Sequence, residues 1–175
     1  MGAEIEPNNW VAMKKLATEY LASDRYAEAG SVLGRLVLQK GFSKGCRRQW
    51  FLLAECLLLQ GKHRETLKCL APFFERSSKR HSLYWPAVHI AAYALREMGR
   101  GEDALRLWAG IPWSARNENM VSNYASTLDC LGRRAQAAAL LRTAARYGLV
   151  ERPPRLRPIK RTGVVVQLCK EGSKS

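Results

Sequence analysis

The 175-residue chain predicts an all-α fold, a right-handed array of about four stacked helix pairs with an extended C-terminal tail. Three observations predict it. A turn motif recurs four times, an apolar stripe at helical spacing precedes each copy, and no alternating strand pattern appears before residue 160.

The four copies are "ASDRYAEAGSVL" from Ala22, "LQGKHRETLKCL" from Leu59, "EMGRGEDALRLW" from Glu97 and "CLGRRAQAAALL" from Cys130. Each holds a turn residue (Asp24, Gly61, Gly99, Gly132) and, five positions on, a small one (Ala29, Thr66, Ala104, Ala137). Four positions later comes a bulky apolar side chain: Leu33, Leu70, Trp108 or Leu141. The small residues recur at intervals of 37, 38 and 33. A turn residue after an apolar helix suits a helix C-terminus, where the chain adopts the left-handed conformation. The small residue lets two antiparallel helices approach, and the bulky one fills the gap between them.

The stripes upstream are Met13, Leu16, Ala17 and Tyr20, then Trp50, Leu53, Ala54 and Leu57. The third and fourth are Val88, Ala91, Ala92 and Leu95, then Val121, Tyr124, Ala125 and Leu128. Spacings of three, four and seven place each set on one helix face. The first helices are expected near 9–22, 47–60, 83–98 and 118–131, with partners near 25–39, 63–75, 102–110 and 134–147. The resulting pairs are 9–40, 47–76, 83–111 and 118–147, between a leader of residues 1–8 and a basic tail of 149–175. No single hairpin buries its own apolar face, so the pairs are expected to stack.

These residues resemble the tetratricopeptide repeats. In the second pair Trp50, Leu53, Ala54, Leu57, Thr66 and Leu70 stand where the family has W, L, G, Y, A and F, and the fourth matches at Ala125, Ala137, Leu141 and Ala144. The family's glycine is alanine in all four copies, its tyrosine survives only as Tyr20, and the proline closing each repeat is missing. The likeness implies a solenoid whose first helices line a concave face. Fold alone names no function. Chaperone-binding members grip a C-terminal carboxylate with a Lys and Asn set. Lys14 fits the first lysine, but Thr18 and Leu52 replace the asparagines, and Pro86 and Ile90 replace the later Lys and Arg. That clamp is therefore not expected.

Residues between the apolar stripes are expected to line the groove. They are Lys14, Thr18 and Leu21, then Arg48, Phe51, Glu55 and Leu58, then His89, Tyr93 and Arg96, then Ser122, Ser126 and Asp129. Phe51 and Leu58 stand out because apolar side chains on such a face mark a contact site.

The net charge of +14 implies an acidic partner: nucleic acid, an anionic surface or an acidic protein. The charge gathers in "QKGFSKGCRRQW", in "FERSSKRHSLYW" and in the tail, giving Lys44, Arg47, Lys79, Arg80, Arg155, Arg157, Lys160 and Arg161 as candidate contacts. Pro153, Pro154 and Pro158 forbid a helix there, and "GVVVQL" at 163–168 reads as a docking strand for another chain or as a disordered end.

Five cysteines with no CxxC pair argue against a disulfide framework or zinc ribbon and fit a reducing compartment, cytoplasmic or nuclear, with a mitochondrial one left open. Cys56 and Cys69 are flanked by leucines and read as core, His63 as a turn residue, and His81 and His89, eight residues apart, as sharing a helix face two turns apart, too far to bind one metal. No phosphate loop, nucleophile elbow, HExxH or carboxylate pair is present, so neither an enzyme nor a cofactor is expected. No apolar run approaches the roughly 20 residues of a membrane span. The favoured reading is a non-catalytic protein-binding scaffold or adaptor in a multi-subunit complex. The alternatives are a basic RNA-associated subunit, of ribonucleoprotein or mitoribosome type, and a chaperone of the type III secretion kind.

Overall fold

The structure, a computed structural model, describes residues 9–41 and 46–151. Among them are eight α-helices and no strand: α1 (Trp10–Ala22), α2 (Tyr26–Lys40), α3 (Arg47–Leu59), α4 (His63–Arg76), α5 (Tyr84–Glu97), α6 (Gly101–Ala109), α7 (Glu118–Cys130) and α8 (Arg134–Arg146). Each lies within a residue or two of the span expected from the apolar spacing. No helix among the described residues is long and apolar enough to cross a membrane.

The four turns share one build. Asp24, Gly61, Gly99 and Gly132 have φ of 55°, 72°, 75° and 76°, the left-handed region that ends a helix. The next residue donates its N–H five positions back: Arg25 to Tyr20, Lys62 to Leu57, Arg100 to Leu95 and Arg133 to Leu128, at 2.8–2.9 Å. These bonds satisfy carbonyls that the helix end leaves unpaired. Gly148 closes α8 in the same way, with φ of 67° and Leu149 N–H on the Ala144 carbonyl at 3.0 Å. Asp24, the turn residue that carries a side chain, accepts a 2.5 Å hydrogen bond from the Tyr26 hydroxyl.

The residue after each turn is basic, and it begins the next helix without a side-chain cap bond. A cation at a helix N-terminus opposes the dipole, and nearby acceptors offset this. Arg25 pairs with Glu28 at 2.8 Å, Arg100 with Asp103 at 2.5 Å and Arg133 with Glu102 at 2.8 Å, while Lys62 reaches the Gln60 amide oxygen at 2.8 Å.

The chain divides into two compact units, one up to Ala94 and one from Leu95 onward. In the first, α1 to α4 pack in sequence order. Their core contains Met13, Ala17, Leu33, Leu36, Ala54, Cys56, Leu70 and Phe73. Gly30 lies where α2 meets α3: a Cβ there would come 3.0 Å from Gln60 Nε2, which would have to give way, and into ordinary contact with Cys56 Cβ at 3.5 Å. The Gln60 amide then reaches the Tyr26 carbonyl at 2.9 Å. Thr66 is fully buried and its hydroxyl returns to the Lys62 carbonyl at 2.9 Å, so the polar group costs little. Phe74 meets Tyr84 of α5 edge to face.

In the second unit α6, α7 and α8 pack in order around Ala104, Trp108, Val121, Leu128 and Ala144. Trp108 stacks on Tyr124. The Arg116 guanidinium closes the end of α6 by donating to the Ile111 carbonyl at 2.9 Å and the Trp108 carbonyl at 3.1 Å. Arg116 also lies 4.2 Å over the Trp113 ring, which stacks on Tyr147.

Two details differ from the sequence reading. Leu141, expected to fill a gap like Leu33, Leu70 and Trp108, is only half-buried, as is Leu140 beside it. His81 does not share a helix with His89. It lies in the turn before α5, where its Nδ1 accepts the Leu83 N–H at 3.2 Å and its ring meets Phe73 edge to face.

Candidate functional site

The first helices of the first two pairs form a cleft. Lys14, Ala17, Thr18 and Leu21 run along one stripe of α1, and Arg48, Gln49 and Leu52 face them from α3. Leu33 of α2 closes the floor, and the cavity is about 310 Å³. Helical spacing produces this: 14, 17, 18 and 21 share one face, as do 48, 49 and 52. Asn9 starts α1 by accepting the Ala12 N–H at 3.0 Å.

The cleft is cationic at its rim and apolar below. Lys14 and Arg48 are exposed, and among the described residues neither forms an ion pair, whereas the neighbouring Lys15 faces Glu19. Thr18 donates its hydroxyl proton to the Lys14 carbonyl at 2.9 Å, which leaves its oxygen free to accept. Gln49 is 9% exposed, and its Oε1 is buried without a hydrogen-bond partner. A buried amide oxygen left unpaired costs about 1–3 kcal/mol. It is the best-defined anomaly of the cleft.

Of the groove residues read from the sequence, Lys14, Thr18, Leu21 and Arg48 come together here. Phe51, Glu55 and Leu58 follow along α3, each half-buried. Burial pushes the Glu55 carboxyl above the ordinary carboxylate range. His89 and Tyr93 are half-buried on α5. In the second unit Arg96 holds Glu97 at 2.6 Å and donates to Asn123 Oδ1 at 2.9 Å. Ser122 and Ser126 are exposed on α7, and Asp129 accepts from Arg134 at 3.2 Å.

Of the basic contacts, Lys79 and Arg80 are exposed before α5. Arg47 is half-buried and donates to the Arg76 carbonyl at 3.3 Å, tying α3 to the end of α4. Lys44, Arg155, Arg157, Lys160, Arg161 and the 163–168 segment lie outside the described residues.

Sequence reasoning passed over Gln49, because a glutamine beside Arg48 breaks no pattern. Its signal was position: it lies four residues before Leu53 and seven before Cys56, on the stripe that packs inward.

Three of the four described cysteines are packed inside. Cys46, Cys56 and Cys69 are buried free thiols, and Cys130 is exposed. Burial, with the nearby Glu55 carboxylate, pushes Cys56 up to about 11, and burial pushes Cys69 up to about 12. The Cys69 thiol points at the Trp50 carbonyl, 3.6 Å away. Such groups are poor nucleophiles at neutral pH. Among the described residues no group of three or more His, Cys, Asp or Glu side chains is gathered for a metal.

A scan against models of known protein families finds no match, and a search of curated proteins finds none either.

Proposed function

We propose that the chain is a tetratricopeptide-like scaffold, a non-catalytic subunit or adaptor of a larger assembly, which holds a segment of a partner protein in a groove formed by its first helices. The observation that carries this reading is the α1–α3 cleft. There two first helices turn Lys14, Thr18, Arg48 and Gln49 into a common space while Met13, Ala17, Leu53 and Ala54 of their apolar stripes are buried. The repeated turn build, at the spacing of helical-hairpin arrays, supports a right-handed helical-hairpin solenoid. Free thiols support a reducing compartment. Phe51 and Leu58 extend the contact surface along α3, and the basic tail supplies a second attachment.

The RNA-associated reading shares the positive charge and is separated by experiment. The tagged full chain is used to capture partners with and without nuclease, beside a version lacking residues 150–175. Retention of protein partners after nuclease supports the scaffold. Loss of every partner on nuclease treatment overturns it in favour of RNA.

A further inference from the structure

We propose that the α1–α3 cleft recognises an acidic side chain within an extended partner segment, with Lys14 and Arg48 on the carboxylate and Gln49 Oε1 on a backbone N–H. The proposal rests on the scaffold reading and names the chemistry of its ligand.

Each part of the cleft asks for a different group. Among the described residues Lys14 and Arg48 form no ion pair, and no Asp or Glu lines the cavity. A carboxylate placed there meets charge-assisted donors from both sides. Gln49 Oε1 is a buried acceptor lacking a donor, and a peptide N–H supplies one. Leu21 and Leu52 give an apolar wall for the neighbouring side chain of an extended segment. At about 310 Å³ the cavity sits at the lower end of the roughly 300–1,000 Å³ of ligand sites, enough for about one or two residues.

Competing ligands fit less well. A nucleic-acid phosphate would satisfy the cations but carries no N–H for Gln49. Among the described residues no aromatic side chain lines the cleft for a base to stack on, which single-strand binding relies on. A free C-terminal carboxylate would need the asparagines and later cations that this sequence replaces with Thr18, Leu52, Pro86 and Ile90.

The test is a fluorescence-anisotropy titration of the full chain with a labelled, C-terminally amidated peptide of alternating leucine and glutamate. Its glutamine counterpart is the control, and a single-stranded oligouridine is the competitor. The glutamate peptide is expected to bind about tenfold tighter than the glutamine peptide. Arg48→Glu should weaken it at least about tenfold, while Arg64→Glu, the same charge change on the exposed face of α4, should change it less than about twofold. Gln49→Met should weaken binding several-fold with the melting temperature unchanged or raised, because the lost oxygen has no structural partner.

Equal affinity for the two peptides, no binding at about 1 mM, equal losses from Arg48→Glu and Arg64→Glu, or displacement by oligouridine at lower concentration than by unlabelled peptide would each overturn the proposal. So would a lower melting temperature for Gln49→Met with binding unchanged. If Arg48→Glu keeps every nuclease-resistant partner in the capture experiment, the cleft assignment fails while the scaffold reading stands.

Discussion

Alanine at the turn glycines and alanine at Gly34 should move stability in opposite directions. Gly61, Gly99 and Gly132 have φ between 72° and 76°, and a Cβ added at any of them meets nothing within 4 Å. Alanine there is spared a clash and bears only the left-handed backbone penalty, about 1–2 kcal/mol. The stiffer unfolded chain returns about 0.4–1 kcal/mol, leaving a net loss near 1 kcal/mol. For a chain of this length that lowers the melting temperature by about 2–4 °C per substitution. Gly34 also has open space around its Cβ position but lies inside α2, so Gly34→Ala should add about 0.5–1 kcal/mol. Asp24→Gly falls between, because relief at φ 55° is offset by loss of the Tyr26 hydrogen bond and by added chain entropy. Urea denaturation followed by circular dichroism measures all five. Turn glycines that tolerate alanine as well as Gly34 does would refute the shared turn build.

Three further outcomes are expected. Brief alkylation of the native chain near pH 8 should label Cys130 and spare Cys46, Cys56 and Cys69, read by peptide mass spectrometry, since all three are buried and the Cys56 and Cys69 thiols, pushed up to about 11 and about 12, are almost wholly protonated. The same shifts predict stability falling as pH rises above 9, where unfolded thiols ionise and the buried ones do not. Glu55→Gln should raise the melting temperature at neutral pH and leave it unchanged near pH 3. Its raised folded value means that the ionised carboxyl weakens the fold at neutral pH, a cost that disappears as acid protonates it. Trp108→Ala should cost about 3–5 kcal/mol, because the ring is 1% exposed and stacks on Tyr124.

The helices were legible because their ends carry residues with a backbone reason to be there. Asp24, Gly61, Gly99 and Gly132 mark turns by tolerating positive φ, and the small residues five positions on mark where helices touch. Lys14, Thr18 and Arg48 were legible as groove residues because helical spacing puts them off the buried stripe. Gln49 could have been placed on the inward stripe with Leu53 and Cys56, but that its amide oxygen is left without a donor is a property of the packed structure, not of one helix's pattern. The basic residue after each turn was equally visible as letters, but its meaning lies in pairings such as Arg133 with Glu102, 31 positions apart. The guanidinium of Arg116, closing α6 and covering Trp113, depends on loop geometry in the same way.

The most direct test of the central claim is site-specific photocrosslinking in cells. A photoreactive residue is placed at Thr18 on the cleft, and in a second protein at Arg64 on the exposed face of α4. The account predicts nuclease-resistant crosslinks to protein from position 18 and few from position 64. Crosslinks that vanish with nuclease, or that form equally from both positions, would contradict it.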